Sequence, residues 1–279
     1  MTRCYKFRSV NDNNLSSLKE QFLWFSDIEK MNDPFEGMYV FENDLTENQI
    51  KKLTPFFHQD PAQKVGNEKF KNMLLELGLE DGKFNFEELV NAVLEHDLKK
   101  LIRVVHNSKV LCLTLSNEDE DPLLENLMWS HYADGLRGYC LVFDTEELIT
   151  DLNSKSPHSI KPINIKYQNK PNKLSLSKFL DTGILMGSEN YEYVDEVSET
   201  IATKSTSWSY EKEIRFLSLD SNEKVQYSKD TLKEVVIGCK MPLNEQQNII
   251  SICKNVNPKV LIKKAQLKDS SYELEVVDY

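Results

Sequence analysis

Short apolar runs, separated by polar turns and helical patterns, constrain the fold of this chain most strongly. The clearest runs are FLWFS (22–26), VLCLTL (110–115), GYCLVF (138–143) and LKEVVIG (232–238). Runs of this length, rich in aromatic and branched side chains, are typical of buried strands. Residues 85–105 instead repeat apolar side chains at helical spacing behind Asn85 and Glu88, which have the spacing of a capping box. The mixture predicts an α+β fold with a mixed or antiparallel β core.

The 279 residues are expected to form a single α+β domain, 1–279, because no repeat, low-complexity tract or long Pro/Gly/Ser linker divides them. Residues from about 45 to 107 are interpreted as a helical insertion. The pattern further predicts helical segments between about 172 and 204, a strand over WSYEKEIRFLSL (208–219), a helix over 242–256 and a closing antiparallel hairpin from 259–267 and 272–279.

Acidic side chains outnumber basic ones by 45 to 34, which leaves a formal net charge of −11. Broad non-specific binding to nucleic acid needs a basic face, so this balance argues against it and leaves only a local basic pocket open. No apolar run approaches the ~20 residues that span a bilayer. The first ten residues contain no apolar signal core. We therefore expect a cytoplasmic protein without a membrane partner.

The five cysteines are widely spaced and form no C-x-x-C pair. This spacing disfavours a disulfide framework and a zinc knuckle. Most of the cysteines lie inside apolar runs, where Cys serves as a small core residue.

The first cluster of candidate site residues joins two N-terminal strand candidates to the turn that follows them. It contains Tyr5, Lys6, Arg8, Trp24, Ser26, Asn32 and Asp33. One interpretation is a structural turn, in which Asn32 and Asp33 bond the local backbone. The other is a binding site, because cations beside a hydroxyl and a rigid Asn-Asp turn suit a phosphorylated or ribosylated ligand.

The second cluster lies on a predicted helix that ends near Gly135 and contains Trp129, Ser130, His131 and Tyr132. Ser130 and His131 are adjacent, so their side chains diverge by about 100° on a helix. A Ser–His nucleophile pair is therefore not expected, and packing is the favoured role of Trp129 and Tyr132.

The third cluster is the most informative and contains Glu211, Glu213 and Arg215. On the predicted strand these residues share one face, about 7 Å from one to the next. Two carboxylates and a guanidinium are costly if buried and unpaired. They form either a solvated row of ion pairs on an edge strand or a carboxylate poised in a cleft, with Arg215 holding its neighbour.

Several common catalytic motifs are missing from the sequence. It contains no P-loop, G-x-G-x-x-G, H-E-x-x-H or kinase motif. The carboxylates form no compact D-x-D or E-x-x-H group with metal-ligand spacing, so no metal site is predicted.

The ordered motifs YKFRS, NDPFEG, MWSHYADGLRGYCLVFD, WSYEKEIR and LKEVVIGCKM resemble the domain-of-unknown-function 2971 (DUF2971) family of bacterial proteins. They extend from Tyr5 to about Met241. Some family members occur among bacterial defence and toxin-like genes. The resemblance therefore implies an anti-phage or toxic role.

The order of motifs also resembles, more distantly, that of ADP-ribosyltransferases. In those enzymes a first strand anchors NAD, a later helix–strand step follows, and a late strand carries the catalytic Glu. Here the corresponding segments are the strand of Lys6 and Arg8, the step HYADGLRGYCLVF (131–143) and YEKEIRF (210–216). Glu211-x-Glu213 resembles the E-x-E element of the arginine-type transferases. The first strand lacks the histidine of the toxin-like transferases.

This resemblance implies a mixed or antiparallel core like the ADP-ribosyltransferase fold, and NAD as the substrate. Glu213 would stabilise the oxocarbenium-like ribose that forms when nicotinamide leaves, and Glu211 would position or deprotonate the acceptor. Arg8 or Lys6 would bind the pyrophosphate, and Trp24 or Tyr5 would stack on nicotinamide or adenine. The other expected binding residues are Ser26, Asn32, Asp33, His131, Tyr132 and Arg215.

Two other functions remain open from the sequence. One is a non-enzymatic module of a defence system that senses a nucleotide or a phage protein. The other is a metal-dependent nuclease with Asp33, Glu36, Glu211 and Glu213 around the metal. For the transferase, the partners would be an acceptor, protein or nucleic acid, and an antitoxin or defence-system protein.

Overall fold

The computed structural model describes residues 2–58, 72, 74–79, 84–117, 120–182, 192–218 and 223–279. The described strands are Arg3–Arg8 (β1), Phe22–Trp24 (β2), Ser26–Asp27 (β3), Tyr39–Glu42 (β4), Lys109–Leu115 (β5), Tyr139–Asp144 (β6), Lys161–Asn164 (β7), Lys166–Tyr167 (β8), Asn172–Ser175 (β9), Thr203–Lys204 (β10), Glu213–Ser218 (β11), Lys224–Gln226 (β12), Leu232–Gly238 (β13), Leu261–Leu267 (β14) and Leu274–Asp278 (β15). The α-helices are Asp12–Glu20 (α1), Glu47–His58 (α2), Phe86–His106 (α3), Asn126–Tyr132 (α4), Thr145–Lys155 (α5), Leu176–Asp181 (α6), Glu192–Thr200 (α7) and Leu243–Val256 (α8). Short 3₁₀ helices occupy Ile28–Lys30, Pro122–Leu124, Thr206–Glu211 and Lys229–Thr231.

The chain divides into two compact units. The first contains residues 1–35, 108–169 and 204–279, and the second contains residues 36–107 and 170–203. The single domain over 1–279, with its insertion at about 45–107, stays a prediction.

A large mixed sheet forms the centre of the first unit. Its strand order is β15-β14-β13-β6-β1-β5-β11-β7, and β3 also pairs with β5. Only β13 and β14 pair in parallel among these described strands, and the other pairs are antiparallel. The expected α+β class with a mostly antiparallel core and the closing hairpin of β14 and β15 are both confirmed.

The apolar runs form the core of this sheet. Leu111, Leu141, Phe143, Phe216 and Val235 are fully buried in one cluster, together with side chains of α5 and α8. A second cluster contains Phe7 and Trp129, whose rings meet edge to face at 5.2 Å. Apolar side chains along each strand thus hold the central strands in place, and β1 lies between β5 and β6.

The second unit contains α2, α3, α6 and α7 and the parallel pair of β4 with β9. The long helix α3 begins with the predicted capping box: Asn85 accepts from the Glu88 amide, and the Glu88 carboxylate accepts from the Asn85 amide. The prediction of helix throughout 172–204 is wrong at its start, where Asn172–Ser175 is a strand because it pairs with Tyr39–Glu42. Residues 183–191 of that prediction, and parts of the 45–107 insertion and of the acidic loop 117–122, lie outside the described residues.

The strand predicted over WSYEKEIRFLSL is wrong in its first half. Thr206–Glu211 forms a 3₁₀ helix, and the strand begins only at Glu213. Lys212, between them, adopts a left-handed conformation with φ of 45°, which ends the helical turn. Tertiary contacts override the alternating pattern here.

Membrane spanning was also considered. Within the described segments, no helix combines the length and the apolar character that crossing a bilayer requires.

Candidate functional site

A cavity of about 330 Å³ lies in the first unit, against β1, β5 and α4. Most of the site residues predicted from the sequence line it: Tyr5, Lys6, Arg8, Trp24, Ser26, Asn32, Tyr132, Glu211 and Glu213. Segments far apart in the chain thus contribute to one wall, as the strand order β1-β5-β11 requires. A cavity of this volume is at the lower end of the range for small-molecule pockets.

Three predicted residues do not line this cavity. Arg215 is fully buried behind Glu213. His131 is exposed and stacks against Tyr210, with ring centroids 6.0 Å apart. Asp33 is buried and accepts a hydrogen bond from the Phe35 amide at 3.0 Å, which agrees with the structural-turn interpretation of Asn-Asp-Pro-Phe.

A buried cluster of charges forms one side of the cavity. The Lys204 Nζ donates to Glu211 Oε2 at 2.5 Å and to Glu213 Oε2 at 3.1 Å. The Arg215 Nε donates to Glu213 Oε1 at 2.7 Å. All four side chains are buried, so two cations compensate two carboxylates away from water. The alternative of a solvated row of ion pairs is therefore excluded.

The geometry of the two carboxylates differs from the expected strand face. Glu211 ends the 3₁₀ helix and Glu213 begins β11, with the left-handed Lys212 between them. The carboxylates nevertheless meet because Lys204 binds both. Sequence spacing thus predicted the correct residues for an incorrect reason.

The two carboxyl groups differ in acidity. Burial opposes ionisation of Glu213, but Arg215 and Lys204 outweigh it and lower its pKa to about 2. Burial raises the pKa of Glu211 above its usual value, in spite of Lys204 and a hydrogen bond from Tyr132. Glu213 is therefore a fixed negative charge, whereas Glu211 is the better proton acceptor of the pair.

Tyr132 connects the carboxylates to the N-terminal turn. Its hydroxyl donates to Glu211 Oε1, and the Asn32 amide donates to the same hydroxyl at 3.0 Å. Burial and the adjacent Glu211 raise the pKa of Tyr132. The predicted packing role of Trp129 is confirmed, while Tyr132 has a polar role as well.

Arg8 has unused hydrogen-bonding capacity. Its side chain is only 7% exposed, and its Nη1 donates to Asn14 Oδ1 at 2.5 Å. Its Nε and Nη2 are buried and have no hydrogen-bond partner among the residues described. Buried donors normally have partners, so a guanidinium with two free nitrogens at a cavity wall is suited to an anionic ligand.

Lys6, two residues earlier on β1, is engaged differently. Its Nζ donates to the Cys112 carbonyl oxygen on the neighbouring strand at 2.7 Å. Burial lowers the pKa of Lys6. Of the two cations on β1, Arg8 therefore has the spare donors for a ligand.

Three basic side chains (Lys6, Arg8 and Lys204) and two acidic ones (Glu211 and Glu213) line the cavity. The lining thus has more basic than acidic groups in a chain whose formal net charge is −11. Such a local excess attracts anionic ligands into a site that the overall charge would disfavour.

Sequence reasoning missed Lys204, the residue that joins the carboxylates. It lies just before Ser205-Thr206-Ser207 and belongs to no recognised motif. It also missed Asn14, Cys112 and Thr114, which contribute to the cavity wall. A buried lysine has no local sequence signal beyond a nearby acidic pair.

The model of a family described as "Protein of unknown function (DUF2971)" matches residues 128–216. The resemblance to DUF2971 is confirmed. The DUF2971 match is narrower than the motif order from Tyr5 to Met241, and it includes Tyr132, Lys204, Glu211 and Glu213. Lys6 and Arg8 lie outside it. No curated protein and no solved structure matches the chain.

Metal-ligand geometry was also examined. Across the described ranges of the chain, no group of three or more His, Cys, Asp or Glu side chains converges as metal ligands would. Glu211 and Glu213 are instead bonded to Lys204 and Arg215.

Proposed function

We propose that this chain is an ADP-ribosyltransferase-like enzyme that binds NAD as a substrate and cleaves its nicotinamide–ribose bond. One observation carries the proposal: Arg8, with two free buried nitrogens, shares a cavity with the ionised carboxylate of Glu213. The first group suits a phosphate, and the second suits a developing cationic sugar.

The cavity lining supports a ligand that combines phosphate with planar rings. Arg8 binds the pyrophosphate through Nε and Nη2, while Lys6 supplies charge nearby. Trp24, 42% exposed at the cavity, and Tyr5 offer ring faces for nicotinamide or adenine. Ser26 and Asn32 offer hydrogen bonds to ribose hydroxyls.

The reaction breaks the bond between the ribose C1′ and the pyridinium nitrogen. The bonding electron pair leaves with nicotinamide, which becomes neutral, and C1′ becomes oxocarbenium-like, as in glycoside cleavage. Glu213 stabilises that positive charge. The acceptor then forms a bond to C1′ and gives its proton to Glu211, which the raised pKa prepares for this step.

The biological setting follows from the family resemblance. We propose a role in bacterial anti-phage defence or as a toxin, in the cytoplasm, with a protein or nucleic acid as acceptor and an antitoxin or defence-system protein as partner. The nuclease alternative is less well supported, because both carboxylates that it requires are already neutralised by buried cations.

Release of nicotinamide tests the proposal. The purified chain would be incubated with NAD, with and without cell lysate, and nicotinamide would be followed by mass spectrometry. We expect release by the wild type and a decrease of about 100-fold or more in Glu213→Gln. Glu146→Gln, a change at an exposed carboxylate of α5, is the matched control and should release nicotinamide normally.

The result has two contrary outcomes. NAD binding without turnover by the wild type would favour the sensing module over the enzyme. Turnover that persists in a folded Glu213→Gln would remove this carboxylate from the mechanism.

A further inference from the structure

Lys204 makes an unusual set of contacts for a lysine. Its ammonium group binds one oxygen of Glu211 and one of Glu213, and it also lies 4.8 Å from the centre of the Trp208 ring. The side chain is buried at the cavity wall. Fixing an ammonium in this way costs desolvation, which two carboxylates and an aromatic face together offset.

The contacts of the two carboxylates are unequal. Glu213 binds Arg215 in addition to Lys204, whereas Glu211 receives a neutral Tyr132 hydroxyl in addition to Lys204. Lys204 is therefore the cation bonded to both groups, and Glu211 depends on it more than Glu213 does. The other titratable groups that face the pair are Lys6 on β1, Cys112 on β5, Tyr167 on β8 and Tyr210.

We propose that Lys204 is a positioning residue that holds both carboxylates at the cavity wall in unequal roles, so that Glu213 stays charged and Glu211 exchanges the acceptor's proton. The inference rests on the proposed NAD-cleaving function. Lys204 does not contact the reacting bond in this account. It acts through Glu211 and Glu213.

Removal of the ammonium has a definite electrostatic result. In Lys204→Met, two carboxylates share the remaining Arg215, and their repulsion favours protonation of one of them. Glu211 takes that proton, because Glu213 retains Arg215 as a direct partner. Protonated Glu211 can no longer accept a proton from the acceptor at neutral pH.

The pH profile of nicotinamide release tests this inference. We expect kcat of Lys204→Met at pH 7 to fall by about 100-fold and its acidic limb to move up by about one pH unit or more. KM should change little, because Arg8 is unaltered. Lys204→Arg keeps the charge and should keep the wild-type position of the limb. An unchanged limb in Lys204→Met, or a shifted limb in Lys204→Arg, would overturn the inference.

A second measurement separates this inference from the proposed function and covers a poorly folding variant. Lys204→Met should lose thermal stability as the pH rises, because its folded state holds a proton on Glu211 that the unfolded chain releases. Lys204→Met/Glu211→Gln removes the repulsion and should recover stability and flatten that pH dependence. If wild-type protein releases no nicotinamide, the proposed function fails, and this stability cycle alone decides whether Lys204 holds the pair. No recovery in the double variant would reject it.

Discussion

Arg8 combines deep burial with two nitrogen atoms that have no partner within the described parts of the chain. Burial lowers its pKa, but a guanidinium stays protonated in proteins, so the positive charge persists in the cavity. An unpaired charge in such a place is costly to stability unless a ligand completes its hydrogen bonds. This imbalance is the residue-level basis for an anion site.

Arg8→Met should weaken the binding of ADP-ribose by roughly 10- to 100-fold, because a phosphate loses a charge-assisted pair of hydrogen bonds. Isothermal titration calorimetry on the folded variant measures this loss. Arg137→Met removes an exposed arginine of the same unit and should bind like the wild type. Equal affinities for all three proteins would mean that the anion does not bind at Arg8.

The candidate site was predicted well where residues carry recognisable chemistry next to apolar patterns. Glu211, Glu213 and Arg215 attracted attention because three charges interrupt an apolar segment, and all three are buried. Lys204 could not be found in this way. Its role depends on carboxylates that approach it only after folding.

The turn between α4 and β6 determines how closely two backbone segments approach. Gly138 lies against β1, and a Cβ atom built there would be 2.2 Å from the carbonyl oxygen of Arg8 and 2.8 Å from Cα of Ala133. Only glycine permits this approach. The element that carries Tyr132 is thereby held against the strand that carries Arg8.

Gly138→Ala should lower the free energy of unfolding by about 1–3 kcal/mol or more, because backbone atoms must move to admit the methyl group. Urea denaturation measures this difference. Gly135→Ala is the comparison: Gly135 has φ of 59° but its Cβ would meet only the end of the Arg137 side chain, at 3.6 Å. It should cost about 1–2 kcal/mol from backbone strain alone. A fully stable Gly138→Ala would show that the turn can shift freely.

Element prediction succeeded where local signals are strong. Asn11 and Asn85 cap α1 and α3 as their sequences indicate, and the apolar runs around Leu111 and Leu141 form central strands. It failed at 206–211, where alternation suggested a strand and a 3₁₀ helix formed. Contacts of Glu211 with Lys204 and Tyr132 stabilise that turn, and such contacts are not visible in a local pattern.

At the scale of the whole molecule, the buried charges connect stability to pH. The pKa of Glu213 falls from 4.5 to about 2 in the folded state, so the unfolded chain binds a proton that the folded protein refuses. Its stabilising contribution, roughly 3 kcal/mol by linkage, is complete above about pH 4.5. It is lost as the pH falls toward 2.

Unfolding free energies measured in urea between pH 7 and pH 2 test this linkage. The wild type should lose stability more steeply than Glu213→Gln below about pH 4.5, because the variant lacks this titration. The same series on Glu146→Gln should follow the wild type. Parallel curves for the wild type and Glu213→Gln would mean that the carboxylate is not held charged by Arg215 and Lys204.

The sequence by itself determined the α+β class, most strands and helices, and the identity of most residues around the cavity. These properties are encoded locally, because apolar periodicity, caps and turn residues act over a few positions. Only the tertiary structure decided that Lys204 joins the two carboxylates, that Glu211 lies on a 3₁₀ helix, and that Arg8 rather than Lys6 has free donors. The physical reason is that the charge state and the partners of a buried group depend on which distant segments surround it.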